Sequence, residues 1–160
     1  IYYIPKKTML KATVGPSADM VARYRFVTKG EEIFGYYSGN SFANQLGISM
    51  QVPRKIEIVS NNSNSSPREI EIGGRKFLIR KSSIVINREN VYVLQLLELL
   101  KNIEVYMDGS YDEARVKIEE YIDIHDIRKE SVNRYIREFP INVFKNYYEL
   151  GLDNVFAQRK

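Results

Sequence analysis

The segment FGYYSGNSFANQLGISMQVPRKIEIVS, residues 34–60, decides the fold of this chain. Its aromatic beginning predicts a strand that stops at Gly39, where glycine can adopt a backbone conformation closed to other residues. A helix of about two turns follows and ends at Gly47. Pro53 then precedes a second predicted strand, residues 55–59, because proline cannot donate to a sheet ladder. The apolar face of the helix consists of Phe42, Ala43 and Leu46.

Length and composition are those of an ordinary soluble protein. The chain has 160 residues, of which 44% are apolar and 28% charged, so one compact domain over residues 1–160 is expected. It contains no cysteine, which excludes disulfides and favours a reducing cytoplasm. No apolar run approaches the about 20 residues of a membrane helix, and no signal peptide is visible. We therefore expect a cytoplasmic protein that does not bind a membrane.

Charge is distributed unevenly between the two halves of the chain. Residues 1–88 contain 14 Lys and Arg against 6 Asp and Glu, whereas residues 89–160 contain 10 against 14. A basic half can attract phosphates or an acidic protein. The alternative interpretation is scattered, solvated charge without a partner.

Several residues within and before this central segment resemble a known signature. Tyr37-Ser38-Gly39, Ala43, Leu46-Gly47-Ile48-Ser49 and Gln51-Val52-Pro53 resemble the "SG..A...LG...QVP" signature of the AbiEi-like antitoxins, the regulatory partners in bacterial type IV toxin-antitoxin systems. In that family a winged helix-turn-helix precedes the signature domain, and a "YY.PK" segment similar to Tyr2-Tyr3-Ile4-Pro5-Lys6 forms its last strand. The resemblance implies that residues 1–7 are this strand and that the winged helix lies before residue 1. The signature contains no catalytic residue and therefore indicates a scaffold.

The strongest candidate for nucleic-acid binding is a predicted β-hairpin. Two alternating segments, residues 69–72 and 76–80, flank Gly73-Gly74, which is a strong hairpin signal. A basic ribbon of this kind can follow a phosphate backbone. The alternative is a sheet edge kept soluble by its cations. The candidate residues for binding nucleic acid or a protein partner are Lys6, Lys7, Arg75, Lys76, Arg80 and Lys81.

Helical periodicity dominates the second half of the chain. Residues 89–102 have so wide an apolar surface that this helix should be central to the core. Further helices are predicted at residues 17–28, from Ser110 onwards with a capping box to Glu113, at residues 127–138, and from Pro140 to Gly151. The first helix should bury Met20, Val21, Tyr24 and Val27. The expected fold class is α+β, a small mixed or antiparallel sheet with short helices followed by a helical part over residues 88–160.

The residues that could support catalysis are few. The acidic cluster Glu119, Glu120, Asp123, His125 and Asp126 is the one candidate metal site. A divalent ion would need ligands that converge from more than one surface, so a solvated acidic face, with Asp126 as a helix cap, is favoured. Glu69-x-Glu71 is only loosely similar to the acidic strand of metal-dependent nucleases, because no lysine follows at the required spacing. The chain has one histidine and no cysteine. We expect a non-catalytic protein without a metal or cofactor.

Two functions are compatible with these residues. The resemblance implies an antitoxin that counters a nucleotidyltransferase toxin, or its action on a target, and represses its own operon by binding operator DNA. The alternative is a stand-alone DNA-binding transcriptional regulator whose C-terminal domain senses a ligand or dimerises.

Overall fold

An α+β arrangement of eight helices and six strands is present in the computed structural model, which describes residues 17–64 and 66–159. The expected fold class is thus confirmed. The strand expected at residues 1–7, together with Lys6 and Lys7, lies outside the described residues. The helices are α1 (Ala18–Phe26), α2 (Gly39–Leu46), α3 (Val91–Leu100), α4 (Ile103–Tyr106), α5 (Tyr111–His125), α6 (Lys129–Tyr135), α7 (Ile141–Glu149) and α8 (Leu152–Ala157). The strands are β1 (Thr28–Lys29), β2 (Glu32–Ile33), β3 (Gly35–Tyr37), β4 (Lys55–Ser60), β5 (Arg68–Ile72) and β6 (Arg75–Lys81).

The main sheet is mixed and has the strand order β3-β4-β6-β5. The β5–β6 hairpin is antiparallel, as predicted, and Gly73 and Gly74 in its turn both have positive φ. Strand β6 returns from the edge to lie parallel to β4, with Ile56 opposite Phe77 and Ile58 opposite Ile79. A second sheet of two short strands, β1 and β2, was not predicted.

Helix α3 is the centre of the main apolar core. Leu97, Leu99 and Leu100 are completely buried, and the surrounding cluster joins α2 to the C-terminal helices. This confirms the central position predicted for the helix, although it is two residues shorter at each end than residues 89–102. A smaller apolar cluster lies between α1 and one face of the main sheet.

Helix α1 buries a different face from the one predicted. Ala22 and Phe26 are buried one turn apart, whereas Met20 is 41% and Tyr24 is 57% exposed. The small side chain of Ala22 lets the helix lie close to Phe77 and Ile79 of the sheet, and this contact selects the buried face. The expectation that Met20 and Tyr24 are buried was therefore wrong, whereas Val27 is buried as predicted.

The C-terminal helices follow the predicted boundaries in part. Ser110 and Glu113 form the predicted capping box of α5, with hydrogen bonds of 3.1 and 2.9 Å. The helix predicted at residues 127–138 is α6 followed by a short 3₁₀ helix, Ile136–Glu138. Helix α7 begins after Pro140, as predicted, but α8 follows Gly151 and was missed. None of the described helices has both the length and the apolar character needed to cross a membrane.

Candidate functional site

The β3-α2-β4 unit, which carries the signature residues, is held together around the carboxylate of Glu57. Gly39 has a φ of +58°, and an added Cβ there would lie 2.4 Å from Glu57 Oε1. The Asn40 backbone N–H at the start of α2 lies near this carboxylate and favours its charged form. Burial raises the pKa of Glu57, while Arg80 and this N–H oppose the rise. Glycine is thus favoured at position 39 by its positive φ and by the close approach of a partly buried acid.

Side-chain amides and hydroxyls fix the loop that leads from α2 to β4. Asn44 Nδ2 donates to the carbonyl oxygens of Ser49 and Gln51, at 3.1 and 3.0 Å. Ser41 Oγ accepts from the Glu57 backbone N–H at 2.9 Å. Because these contacts satisfy backbone groups inside the unit, Ser41 and Asn44, which lie between the signature-like residues, act as structural supports.

The candidate cations of the β5–β6 hairpin are not equivalent. Arg75 Nε lies 3.5 Å from an Asp19 carboxylate oxygen, and both side chains are about half exposed. Lys76 and Lys81 are exposed and form no ion pair within the described part of the chain. Arg80 faces the helical part instead. The hairpin therefore presents Arg75, Lys76 and Lys81 to solvent.

Arg80 belongs to a partly buried cluster under α3. Its guanidinium donates to Glu98 Oε2 at 2.7 Å, and Lys101 Nζ lies 3.2 Å from the same oxygen. The side chain of Glu98 is only 10% exposed. Burial acts against the charged form of Arg80, but Glu98 outweighs it, and the pKa of Arg80 is raised. Arg80 is therefore largely committed to this ion pair.

A small cavity of about 130 Å³ adjoins the Arg80–Glu98 pair and is also lined by Tyr36 and Lys101. Burial raises the pKa of the Tyr36 phenol, and the Glu98 carboxylate adds to the rise. The hydroxyl therefore stays protonated at neutral pH. Glu98 was missed in the sequence, although a lone acid in the apolar helix VYVLQLLELL is a signal that a buried partner exists.

The acidic cluster of α5 does not converge. Asp123 pairs with Arg159, and Asp126 pairs with Arg128 at 3.1 Å. Asp126 caps the C-terminal end of α5, where its φ is +52°, and not the start of the next helix as expected, because α6 has Arg128 as its N-cap. Within residues 17–64 and 66–159, no three His, Asp or Glu side chains are grouped so that they could hold a metal ion.

His125 packs against aromatic rings. Its ring stacks on Tyr92 with the ring centroids 3.8 Å apart, and the Tyr121 ring lies 4.5 Å away. Burial lowers the pKa of His125. The Tyr121 hydroxyl donates to Gln95 Oε1, and Gln95 Nε2 donates to the Tyr37 carbonyl at 2.9 Å, which links α5 through α3 to the sheet. The His125 side chain is therefore packed among aromatic rings.

By its fold the molecule is a small α+β protein with a mixed sheet, a basic hairpin and a helical C-terminal part. Residues 1–128 match DUF6088, a family of unknown function. Since the match covers most of the 160 residues, the chain belongs to this family. No curated protein and no solved structure matches it.

Proposed function

We propose that the chain is part of a non-catalytic antitoxin and transcriptional regulator of a bacterial type IV toxin-antitoxin system, working in the cytoplasm. The protein would counter a nucleotidyltransferase toxin, or its action on a target, and repress its own operon by binding operator DNA. The observation that carries the proposal is the signature-like segment, residues 37–53, in which the side chains of Ser41 and Asn44 form hydrogen bonds to the backbone of the unit. A scaffold that presents surfaces to partners fits this function better than a reaction centre does.

The exposed cations of the hairpin support a contact with a negatively charged partner. Arg75 and Lys76 lie at the turn and Lys81 at the other end of β6, and all three are exposed. An antiparallel ribbon with this distribution of charge can follow a phosphate backbone. In the proposal, the hairpin assists a DNA-reading element elsewhere in the protein.

Co-expression with a nucleotidyltransferase encoded beside this gene tests the antitoxin function. The expected result is that the whole protein restores growth of cells in which the toxin alone arrests it. A catalytically inactive toxin serves as the control, since growth should then be independent of the antitoxin. Arrested growth at matched expression of a folded antitoxin would contradict the proposal.

The alternative is a stand-alone transcriptional regulator with a ligand-sensing or dimerisation domain. The observation that favours it is the extensive helical part, from α3 to α8, which includes Ile141 and Tyr148 exposed on α7. Gene order separates the two functions. A nucleotidyltransferase gene directly beside this gene supports the antitoxin, and its absence supports the stand-alone regulator.

A further inference from the structure

A groove of about 550 Å³ lies between the end of α1, the β1–β2 hairpin and the beginning of β5. We call it the α1 groove. Two buried rings, Phe26 and Phe34, contribute to its wall, and the Asn62 side chain closes one side by donating to the Arg25 carbonyl at 3.3 Å.

Three cations converge on the α1 groove from separate elements. Arg25 comes from α1, Lys29 from β1 and Arg68 from β5, while Glu32 is the one acid in the lining. Within the described residues, none of the three cations forms an ion pair. This contrasts with Arg75 and Arg80 of the hairpin. The groove therefore has a positive charge that a bound anion can neutralise.

An exposed aromatic ring stands at the rim. Tyr24 is 57% exposed, and Lys29 Nζ lies 5.4 Å from the centroid of its ring. Arg25 lies over the Phe26 ring, with Cζ 4.9 Å from the centroid. Aromatic faces beside cations are the combination on which unpaired bases stack while their phosphates are neutralised. A duplex hides its base faces in the stack and would leave Tyr24 unused.

We propose that the α1 groove binds single-stranded nucleic acid. Tyr24 stacks on a base, and Arg25, Lys29 and Arg68 contact the phosphates on either side of it. An acidic peptide would use the cations but would have no need of the exposed ring, so the aromatic rim favours the nucleic acid. The inference goes beyond the proposed function, in which operator duplex and a toxin are the partners.

Fluorescence anisotropy of the full chain with labelled oligothymidine and oligouridine of about ten nucleotides tests the groove, with a duplex of the same length for comparison. The Arg25→Ala/Arg68→Ala variant should bind at least about tenfold more weakly. It should also lower the slope of log affinity against log salt by about 1.4, because two phosphates are no longer neutralised. The loss should be larger for both single strands than for the duplex, because the duplex can still bind the hairpin.

A second pair of variants tests the ring separately from the charge. Tyr24→Ala should weaken binding by about 5- to 100-fold, whereas Tyr24→Phe should retain it, because stacking needs the ring and not the hydroxyl. Since Tyr24 is exposed, neither substitution should change the thermal midpoint.

The matched control is Lys129→Ala/Arg137→Ala, which removes the same charge from exposed positions in the helical part. This variant should change the affinity less than about twofold. An equal loss in the groove and control variants, a loss in the groove variant as large for duplex as for the single strands, or stronger binding of a labelled poly-glutamate peptide than of either oligonucleotide would overturn the inference. None of these outcomes depends on growth rescue, so the inference and the proposed function fail separately.

Discussion

The guanidinium of Arg80 on β6 and the carboxylate of Glu98 on α3 form an ion pair with an N–O distance of 2.7 Å. The two side chains are 29% and 10% exposed, and Lys101 shares the same carboxylate oxygen. The pair joins the sheet to the central helix of the helical part. It also removes Arg80 from the surface on which the sequence placed it.

Glu98→Gln should lower the free energy of unfolding by about 2 kcal/mol, because Arg80 and Lys101 lose the charge that compensates them in a partly buried place. Urea denaturation measures this change. Glu69→Gln is the matched control, since both side chains of the Lys55–Glu69 ion pair are exposed to solvent. That variant should leave the urea midpoint unchanged. Equal midpoints for the two variants would show that the Arg80–Glu98 pair contributes nothing to stability.

Gly39→Ala should destabilise the fold more than Gly74→Ala does. Both glycines have positive φ, and an alanine there costs about 1 kcal/mol. At Gly39 the new Cβ also displaces the Glu57 carboxylate from the Asn40 N–H, which adds about 1 kcal/mol, whereas Gly74 has open space around it. In a Glu57→Ala background the difference between the two substitutions should disappear. Thermal unfolding of the variants measures this difference in stability. If the difference remained in the Glu57→Ala background, the Glu57 carboxylate would not be its cause.

The single histidine should titrate below its ordinary value of 6.5, because burial against Tyr92 and Tyr121 disfavours the charged form. The folded state then binds fewer protons than the unfolded state between the two pKa values. The free energy of unfolding should therefore fall as the pH is lowered through this window. An NMR titration of the imidazole gives the pKa directly. Tyr92→Ala should move the midpoint towards 6.5, and a wild-type midpoint above 6.5 would refute the assignment.

The sequence predicted those parts of the fold whose signals are local. The Gly73-Gly74 turn between alternating segments and the Ser110–Glu113 capping box both lie within a few residues, and both are present. The buried face of α1 was assigned wrongly, because its apolar residues allow more than one face and contact with the sheet selects Ala22 and Phe26.

The candidate site was harder to predict than the elements that carry it. The sequence named Arg80 as one cation of a basic hairpin, but its partner Glu98 lies 18 residues away on another element. The packing of α3 over the sheet, which no local pattern specifies, brings the two together. In the same way, Arg25, Lys29 and Arg68 meet at one groove only because β5 returns to the end of α1.

Both proposed regulatory functions require DNA binding, and the antitoxin function requires that the whole protein binds the DNA of its own promoter. Anisotropy of a labelled promoter duplex against an unrelated duplex of the same length measures this most directly, at two salt concentrations. We predict tighter binding to the promoter than to the unrelated duplex. The variant Arg75→Ala/Lys76→Ala/Lys81→Ala should remain folded but bind the promoter more weakly. Its salt slope should be smaller by about 0.9 for each phosphate that the variant no longer neutralises. Equal affinity for the two duplexes would contradict the account.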